Sequence, residues 1–228
     1  MATDETETPT VRKARVLIVD DHPIARLGLA QLINQEEDME VSAEAENAQE
    51  ALKAFASCEP DVAVVDISLR GRNGLELVRD IRARHSSLPI LVLSIHDETL
   101  YAGRALRAGA SGYIMKEEAA EEVVAAIRCV LAGEIYLSKN MASRMLHKAL
   151  RGTGSAAGSP AEVLSNRELE VFELMGRGMG TRQVAERLDL SVKTVESHQA
   201  HIKAKLNLPS GTELLRHAIL WVQGMDAC

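Results

Sequence analysis

The sequence predicts two domains: a five-stranded, parallel, doubly wound α/β domain followed by a small all-α domain. Three observations support this prediction. Short aliphatic runs alternate with amphipathic segments from Arg15 to about Ala132, as in repeated βα units. A Gly-, Ser- and Ala-rich stretch over Arg151–Pro160 is typical of a linker. Beyond it the periodicity is helical only, and 228 residues suffice for two small domains.

The strands of the first domain are predicted from five aliphatic runs. Three runs consist almost entirely of Val, Ile and Leu, which is typical of strands buried on both faces of a parallel sheet, so we expect these three to be central. Helix ends are marked by Pro23 in a first turn, Asn47 with Glu50 as an N-cap pair, and Gly109 after the fourth helix. The runs are Arg15–Val19, Glu40–Ala45, Val62–Asp66, Ile90–Ser94 and Gly112–Met115.

The second domain begins with a clear helix signal. Ser165 and Glu168 form an S-x-x-E capping box, and Gly176 and Gly178 end the helix that it opens. A short helix, the turn Asp189–Ser191 and a longer helix capped by Ser191 follow, which suits a helix-turn-helix. The predicted helices are an amphipathic one over Lys139–Leu150, one through Met175, then Thr181–Leu188, Val192–Leu206 and about Thr212–Val222.

Charge is distributed unevenly along the chain. The formal net charge is −7, but Ser165–Cys228 holds eight Lys/Arg and eight Asp/Glu, so the preceding segment carries the whole −7. Within Ser191–Leu206, three lysines outweigh the single acid Glu196, which is compatible with contacts to nucleic-acid phosphates.

Cysteine spacing and hydropathy exclude several classes of protein. The three cysteines, Cys58, Cys129 and Cys228, have no CxxC or Cys/His spacing, so we expect free thiols rather than disulfides or a zinc site. The chain shows neither an apolar run long enough to span a bilayer nor a signal-peptide pattern over Met1–Arg15. We therefore expect a cytoplasmic protein with no membrane partner.

Three aspartates are predicted to meet at one edge of the sheet. Asp20 and Asp21 follow the first strand and Asp66 ends the third, so they converge if the strand order reverses between them. Clustered carboxylates repel one another unless a cation relieves them, and an all-oxygen set suits a divalent ion such as Mg²⁺.

Two further side chains should reach the same crevice. Ser94 ends the fourth strand and Lys116 ends the fifth. A carboxylate, a metal ion, a hydroxyl and an ammonium around one point suit phosphoryl transfer, which requires positioning and neutralisation of charge. Asp66 is the candidate nucleophile.

At these residues the chain resembles receiver domains of the CheY-like type. VLIVDDHP, VVDISL, LVLSIHD and GYIMK occur in the order and spacing of that family, and the match covers about Arg15–Ala132. The resemblance implies that Asp66 is the phosphoacceptor and that Ser94 and Lys116 bind phosphoryl oxygens. It also implies an aromatic switch at Tyr113. The implied Mg²⁺ ligands are Asp21 and Asp66 directly, Asp20 mainly through water, and the backbone carbonyl of Ser68.

The chain departs from the receiver pattern next to the phosphoacceptor. Arg70 stands where the family usually has proline, and Glu117 follows Lys116 where many members carry a cis-proline, so the local loop geometry is left open. Ser68 and His96, two residues beyond Asp66 and Ser94, are hypothesised to tune dephosphorylation.

The second domain resembles a LuxR-type DNA-binding domain. Pattern alone does not distinguish a helix-turn-helix from a plain helical hairpin, but LSNRELEVFELMGRGMGTRQVAERLDLSVKTVESHQAHIKAKL carries the resemblance across Leu164–Leu206 and beyond. Together with the receiver, this is the NarL/FixJ arrangement of response regulators. Asn166 replaces a proline common in the family, and we expect no functional consequence from it.

The resemblance makes Val192–Leu206 the recognition helix. Glu196 could accept from cytosine N4 but not favourably contact guanine. The implied phosphate contacts are Lys193, Thr194, His198, Lys203 and Lys205, and the implied base contacts are Glu196, Ser197 and Gln199 or Ala200.

The expected protein is a transcriptional response regulator, not an enzyme. Its expected partners are a sensor histidine kinase, double-stranded DNA, a second copy of the chain and RNA polymerase. Two alternatives are weaker: an aspartyl phosphatase, many of which need an acid where Ser68 stands, and a receiver that never sees phosphate. The expected division is a flexible tail over 1–14, a receiver domain over 15–132, a linker with a helix over 133–163 and the DNA-binding domain over 164–228.

Overall fold

A parallel five-stranded sheet organises the N-terminal domain in the computed structural model, which describes residues 12–118, 120–150 and 160–226. The strands are β1 (Ala14–Val19), β2 (Met39–Ala45), β3 (Val62–Val65), β4 (Ser68–Leu69), β5 (Arg72–Asn73), β6 (Ile90–Ser94) and β7 (Gly112–Met115). The large sheet has the order β2-β1-β3-β6-β7, and β4 pairs only with β5 in a short antiparallel hairpin. The three strands richest in Val, Ile and Leu are the three central ones, as predicted.

Five helices cover the two faces of this sheet. They are α1 (Pro23–Asn34), α2 (Ala48–Cys58), α3 (Gly74–Arg84), α4 (Glu98–Ala108) and α5 (Ala120–Leu131). Apolar residues of α1 and α5 form one buried cluster with the sheet, and those of α2, α3 and α4 form another on the opposite face. The predicted caps are confirmed, since Asn47 accepts from Glu50 N and Gly109 ends α4 in the left-handed conformation.

The C-terminal region consists of helices. They are α6 (Lys139–Leu150), α7 (Pro160–Val163), α8 (Asn166–Gly176), α9 (Thr181–Arg187), α10 (Val192–Lys205) and α11 (Gly211–Asp226). The capping box of Ser165 and Glu168 opens α8, and the Ser191 hydroxyl caps α10 by accepting from Thr194 N. Gly176 lets α8 approach α11 closely, because a Cβ there would lie 2.5 Å from the Ala218 carbonyl oxygen.

The structure differs from the sequence prediction mainly in small elements. Most predicted boundaries hold to within one or two residues, but the β4–β5 hairpin and α7 were not predicted. None of the helices in the described ranges has the length and hydrophobicity needed to cross a bilayer. Cys58 and Cys129 are free thiols. Most of the predicted tail over 1–14, most of the linker over Arg151–Pro160, and Cys228 lie outside the described residues.

Candidate phosphoacceptor site and DNA-binding surface

The three predicted aspartates converge at the carboxyl edge of the sheet. Asp20 follows β1 and Asp66 follows β3, and these strands are neighbours, with Asp66 N donating to the Val19 carbonyl at 2.8 Å. One ligand atom from each of Asp20, Asp21, His22 and Asp66 lies within 4.8 Å of the other three. Asp20 and Asp66 are only 3% and 2% exposed, so their charges need a partner.

Lys116 supplies that partner from the end of β7. Its Nζ donates to Asp20 Oδ2 at 2.6 Å and to Asp66 Oδ2 at 2.7 Å. Burial lowers the pKa of Lys116, but the charge of Asp66 and the hydrogen bonds to both aspartates outweigh burial and raise it above the usual 10.5. Lys116 is therefore an ammonium ion fixed beside the candidate phosphoacceptor.

Asp21 is the third carboxylate of the cluster, and Arg70 Nε lies 3.7 Å from its Oδ2. Burial raises its pKa, and repulsion by Asp66 and Asp20 raises it further, against an opposing effect of His22. Among the described residues its buried Oδ1 accepts no well-aligned hydrogen bond, although His22 Nδ1 lies 2.7 Å away. Three clustered carboxylates with an unsatisfied oxygen fit a hard divalent cation such as Mg²⁺.

The loop after Asp66, which the sequence left open, is a tight hairpin. Ser68 pairs with Asn73 across a two-residue turn in which Gly71 has a φ of +70°. Gly74 then packs directly under Asp66, because a Cβ at Gly74 would lie 1.9 Å from the Asp66 carbonyl oxygen. This contact requires glycine and fixes the backbone on which the phosphoacceptor stands.

Ser94 and Tyr113 lie beside this site and both contact the backbone of His96. Ser94 is fully buried at the end of β6, and its Oγ accepts from His96 N at 3.2 Å. Tyr113 is turned inward, 1% exposed, and its hydroxyl donates to the His96 carbonyl at 2.6 Å. Burial raises the pKa of Tyr113 far above its usual range, so it is a neutral hydrogen-bond donor.

The two residues hypothesised to tune dephosphorylation contact each other. Ser68 Oγ and His96 Nε2 are 3.0 Å apart at the mouth of the site. The other ring nitrogen of His96, Nδ1, lies 3.4 Å from Glu173 Oε2 on α8. Burial lowers the pKa of His96, but the contact with Glu173 raises it above the usual 6.5. The pKa of Glu173 is lowered, because its contacts with His96 outweigh the opposing effect of burial.

Two buried carboxylates of α8 face the receiver domain, and neither was among the predicted site residues. Glu170 Oε1 accepts from Asn73 Nδ2 at 2.7 Å, and Glu173 Oε2 accepts from the Tyr101 hydroxyl at 3.4 Å. Glu170 is 1% and Glu173 2% exposed. Their spacing from Asn166 (i, i+4, i+7) places all three on one helix face, and this polar stripe was the available signal.

Arg104 on α4 forms a second contact between the domains. Its guanidinium donates to Asn166 Oδ1 at 2.6 Å and to the Leu164 carbonyl at 2.8 Å. Burial lowers the pKa of Arg104 from its usual 12.5. Asn166, for which no consequence was expected, therefore contributes a buried contact to the other domain.

Several predicted DNA contacts on α10 are open to solvent. Lys193, Glu196, Ser197 and Ala200 are exposed, and Lys203 is partly exposed. The receiver domain thus leaves these candidate contacts of the recognition helix uncovered.

Three other predicted contacts have partners within the domain, and a fourth, His198, is partly buried. Thr194 Oγ1 is 2.7 Å from Ser191 Oγ, and Gln199 Nε2 donates to Thr181 Oγ1 at 3.2 Å. Lys205 Nζ donates to Glu168 Oε2 at 2.7 Å. Burial lowers the pKa of His198 below its usual 6.5, with a further contribution from Arg167.

Comparisons with known proteins agree with this architecture. The family model "Response regulator receiver domain" matches residues 16–128, and "Bacterial regulatory proteins, luxR family" matches residues 162–218. The oxygen regulatory protein NreC of Staphylococcus carnosus (strain TM300) is 37% identical over 209 residues, which cover 90% of this chain and 96% of NreC.

Solved structures with related folds are also response regulators. A LuxR-family two-component response regulator from Aurantimonas sp. SI85-9A1 is 37% identical with a TM-score of 0.57, covering 61% of this chain and 99% of that one. RcsB of Salmonella enterica serovar Typhimurium, bound to the promoter rprA with the phosphomimetic BeF3-, is 25% identical with a TM-score of 0.59, covering 91% and 98%. The chain belongs to the response regulators that join a receiver domain to a LuxR-type DNA-binding domain.

Proposed function

We propose that Asp66 accepts a phosphoryl group from a partner histidine kinase and that this modification controls dimerisation and sequence-specific DNA binding. The main support is the Nζ of Lys116, 2.7 Å from Asp66 Oδ2, where it can bind a phosphoryl oxygen. Ser94 would bind another oxygen through its hydroxyl. Tyr113 would change position when Ser94 moves toward the phosphoryl group, because Ser94 and Tyr113 both contact the backbone of His96.

The same site would hold Mg²⁺ through Asp20, Asp21, Asp66 and the backbone carbonyl of Ser68. When bound, the ion would neutralise charge on the phosphoryl oxygens during transfer. Lys116 neutralises Asp20 and Asp66, and Asp21 keeps an unsatisfied oxygen for the cation.

DNA binding is assigned to α10, inserted into a major groove. The candidate contacts are Lys193, Thr194, Glu196, Ser197, His198, Gln199, Lys203 and Lys205. Two copies bound one DNA turn apart would gain phosphate contacts that one small domain lacks, and α11, including Trp221, is the proposed dimer surface. RNA polymerase is a further proposed partner for regulating transcription.

Parallel selection of DNA sites tests this function. Phosphorylated wild-type protein and Asp66→Asn are each used to select sites from a random pool, with phosphate incorporation measured on both. We expect incorporation only in the wild type, together with tighter, site-specific binding. Equal affinity and equal site choice by the two proteins, with phosphorylation confirmed, would contradict the proposed switch.

We propose that the protein turns over no substrate. Hydrolysis of a phosphate ester beyond one phosphoryl group per chain would instead support the alternative, an aspartyl phosphatase. Two expectations stay predictions: a cytoplasmic location, and domain boundaries at 15–132 and 164–228.

A further inference from the structure

His96 connects the proposed phosphoryl-binding residues to the DNA-binding domain. Its backbone N–H donates to Ser94 Oγ and its carbonyl accepts from the Tyr113 hydroxyl. Its ring lies between Ser68 Oγ at 3.0 Å and Glu173 Oε2 at 3.4 Å. The position of this one residue is therefore set jointly by the two domains.

The ring of His96 is held firmly in that place. It packs on Tyr101, with ring centroids 4.5 Å apart, and the Tyr101 hydroxyl donates to the same Glu173 carboxylate. The His96 side chain is only 12% exposed. Glu173 thus fixes a side chain of the receiver domain that lies at the mouth of the phosphoacceptor site.

With the domains in contact, His96 and α8 line the approach to the phosphoacceptor site. The cleft between the domains, about 520 Å³, is bordered by His96 on one side and by Glu170, Glu173 and Arg177 on the other, and both carboxylates are paired with arginine. Asp66 is only 2% exposed. A donor must therefore enter through a cleft lined by the His96 ring and by α8.

We propose that Glu173 of the DNA-binding domain is a positioning residue for phosphoryl transfer to Asp66: it acts through His96 to keep the site closed while the domains are in contact. The proposal rests on the proposed role of Asp66 as phosphoacceptor and adds that the output domain slows its modification. Any penalty that the domain contact places on phosphorylated Asp66 at equilibrium is matched by an equal bias of phosphorylated Asp66 toward separated domains.

Acetyl phosphate with Mg²⁺ is the probe, used on the full chain. An Asp66 carboxylate oxygen forms the bond to phosphorus, while the bond from phosphorus to the acetate oxygen breaks and acetate leaves with the electron pair. The rate of incorporation is read from the mobility shift of phosphorylated protein. We expect Glu173→Gln to raise this rate about tenfold, because it removes the charge that holds the His96 ring, and a buried interaction with a charged group is worth about that factor.

A double-mutant cycle separates positioning through His96 from a general structural effect. His96→Ala should raise the rate to a similar extent, and Glu173→Gln in that background should add less than about twofold, because both changes remove the same restraint. Arg177→Gln is the matched control: it removes the other ion-pair partner of Glu173, at 2.7 Å, without touching His96, and should leave the rate within about twofold.

Failure of this inference can be distinguished from failure of the proposed function. Equal rates for wild type and Glu173→Gln, or full additivity with His96→Ala, would overturn the inference while leaving Asp66 as acceptor. No incorporation in any variant would overturn the proposed function as well. If Glu173→Gln does not fold, Arg104→Met opens the same domain contact from α4, and the inference requires the same increase from it.

Discussion

Replacing Lys116 by methionine removes the cation that lies between two buried carboxylates. Nζ is 2.6 Å from Asp20 Oδ2 and 2.7 Å from Asp66 Oδ2, and the three side chains are 14%, 4% and 2% exposed. Removing one partner of a buried ion pair costs about 3–5 kcal/mol, because the remaining charges are left without compensation. We expect Lys116→Met to lower the free energy of unfolding of the receiver domain by that amount at pH 7 without Mg²⁺.

The pH dependence of this contribution follows from the raised pKa of Lys116. Because the pKa is higher in the folded state than the usual 10.5, the stabilisation is fully present below 10.5 and is lost as pH rises through the folded-state value. The difference between wild type and Lys116→Met should therefore be constant in alkaline buffers up to about pH 9 and shrink at higher pH.

Urea unfolding followed by circular dichroism, in buffer with a chelator, measures the difference. Lys53→Met, at an exposed position of α2, is the control and should change the free energy of unfolding by less than about 0.5 kcal/mol. Asp66→Asn in the Lys116→Met background should recover part of the lost stability. Mg²⁺ at a hundred times its Kd should also recover stability, by about 2.7 kcal/mol. A loss under 1 kcal/mol for Lys116→Met would refute the reasoning.

Three further perturbations test other parts of the structure. Gly74→Ala should reduce both stability, by more than about 1 kcal/mol, and phosphate incorporation, because its Cβ would collide with the Asp66 carbonyl; thermal unfolding and acetyl phosphate labelling check this. Glu168→Gln should destabilise the C-terminal domain more at pH 7 than at pH 3: burial raises the pKa of Glu168, but the hydrogen bonds from Lys205 and Ser165 together lower it further, so the stabilisation is lost as pH falls through the folded-state pKa; urea titrations at both pH values check this. Lys193→Ala should weaken DNA binding across sequences and reduce the slope of log K against log salt by about 1, and an unchanged slope would remove Lys193 from the phosphate contacts.

The sheet and its acidic cluster could be predicted from sequence because both depend on local pattern. Strands buried on both faces must be aliphatic, and parallel strands place all their carboxyl ends at one edge. Asp20, Asp66 and Lys116 therefore had to converge once the strand order was reversed between β1 and β3. The direct contacts of Lys116 with both aspartates add geometry that the pattern could not supply.

The contacts between the domains could not be predicted in the same way. Charged residues of a helix are normally assigned to its solvated face, so the polar stripe that includes Glu170 and Glu173 did not indicate burial until their partners Asn73 and Tyr101 were placed against them. The β4–β5 hairpin was missed for a related reason: only Gly71 marks its turn, and the hairpin has two residues on each side.

The exposure of the recognition helix restricts how phosphorylation can act on DNA binding. Lys193, Glu196 and Ser197 are exposed while the domains are in contact, so domain separation is not needed to uncover them. The side of the DNA-binding domain that is buried against the receiver domain belongs instead to α8. This helix packs on α11, the proposed dimer surface. We expect phosphorylation to act mainly by freeing the DNA-binding domain to take up the orientation that two copies on one DNA site require, rather than by unmasking base contacts. The monomeric contribution to DNA affinity should then be similar with and without phosphate, and the difference should lie in the cooperativity of binding to paired half-sites.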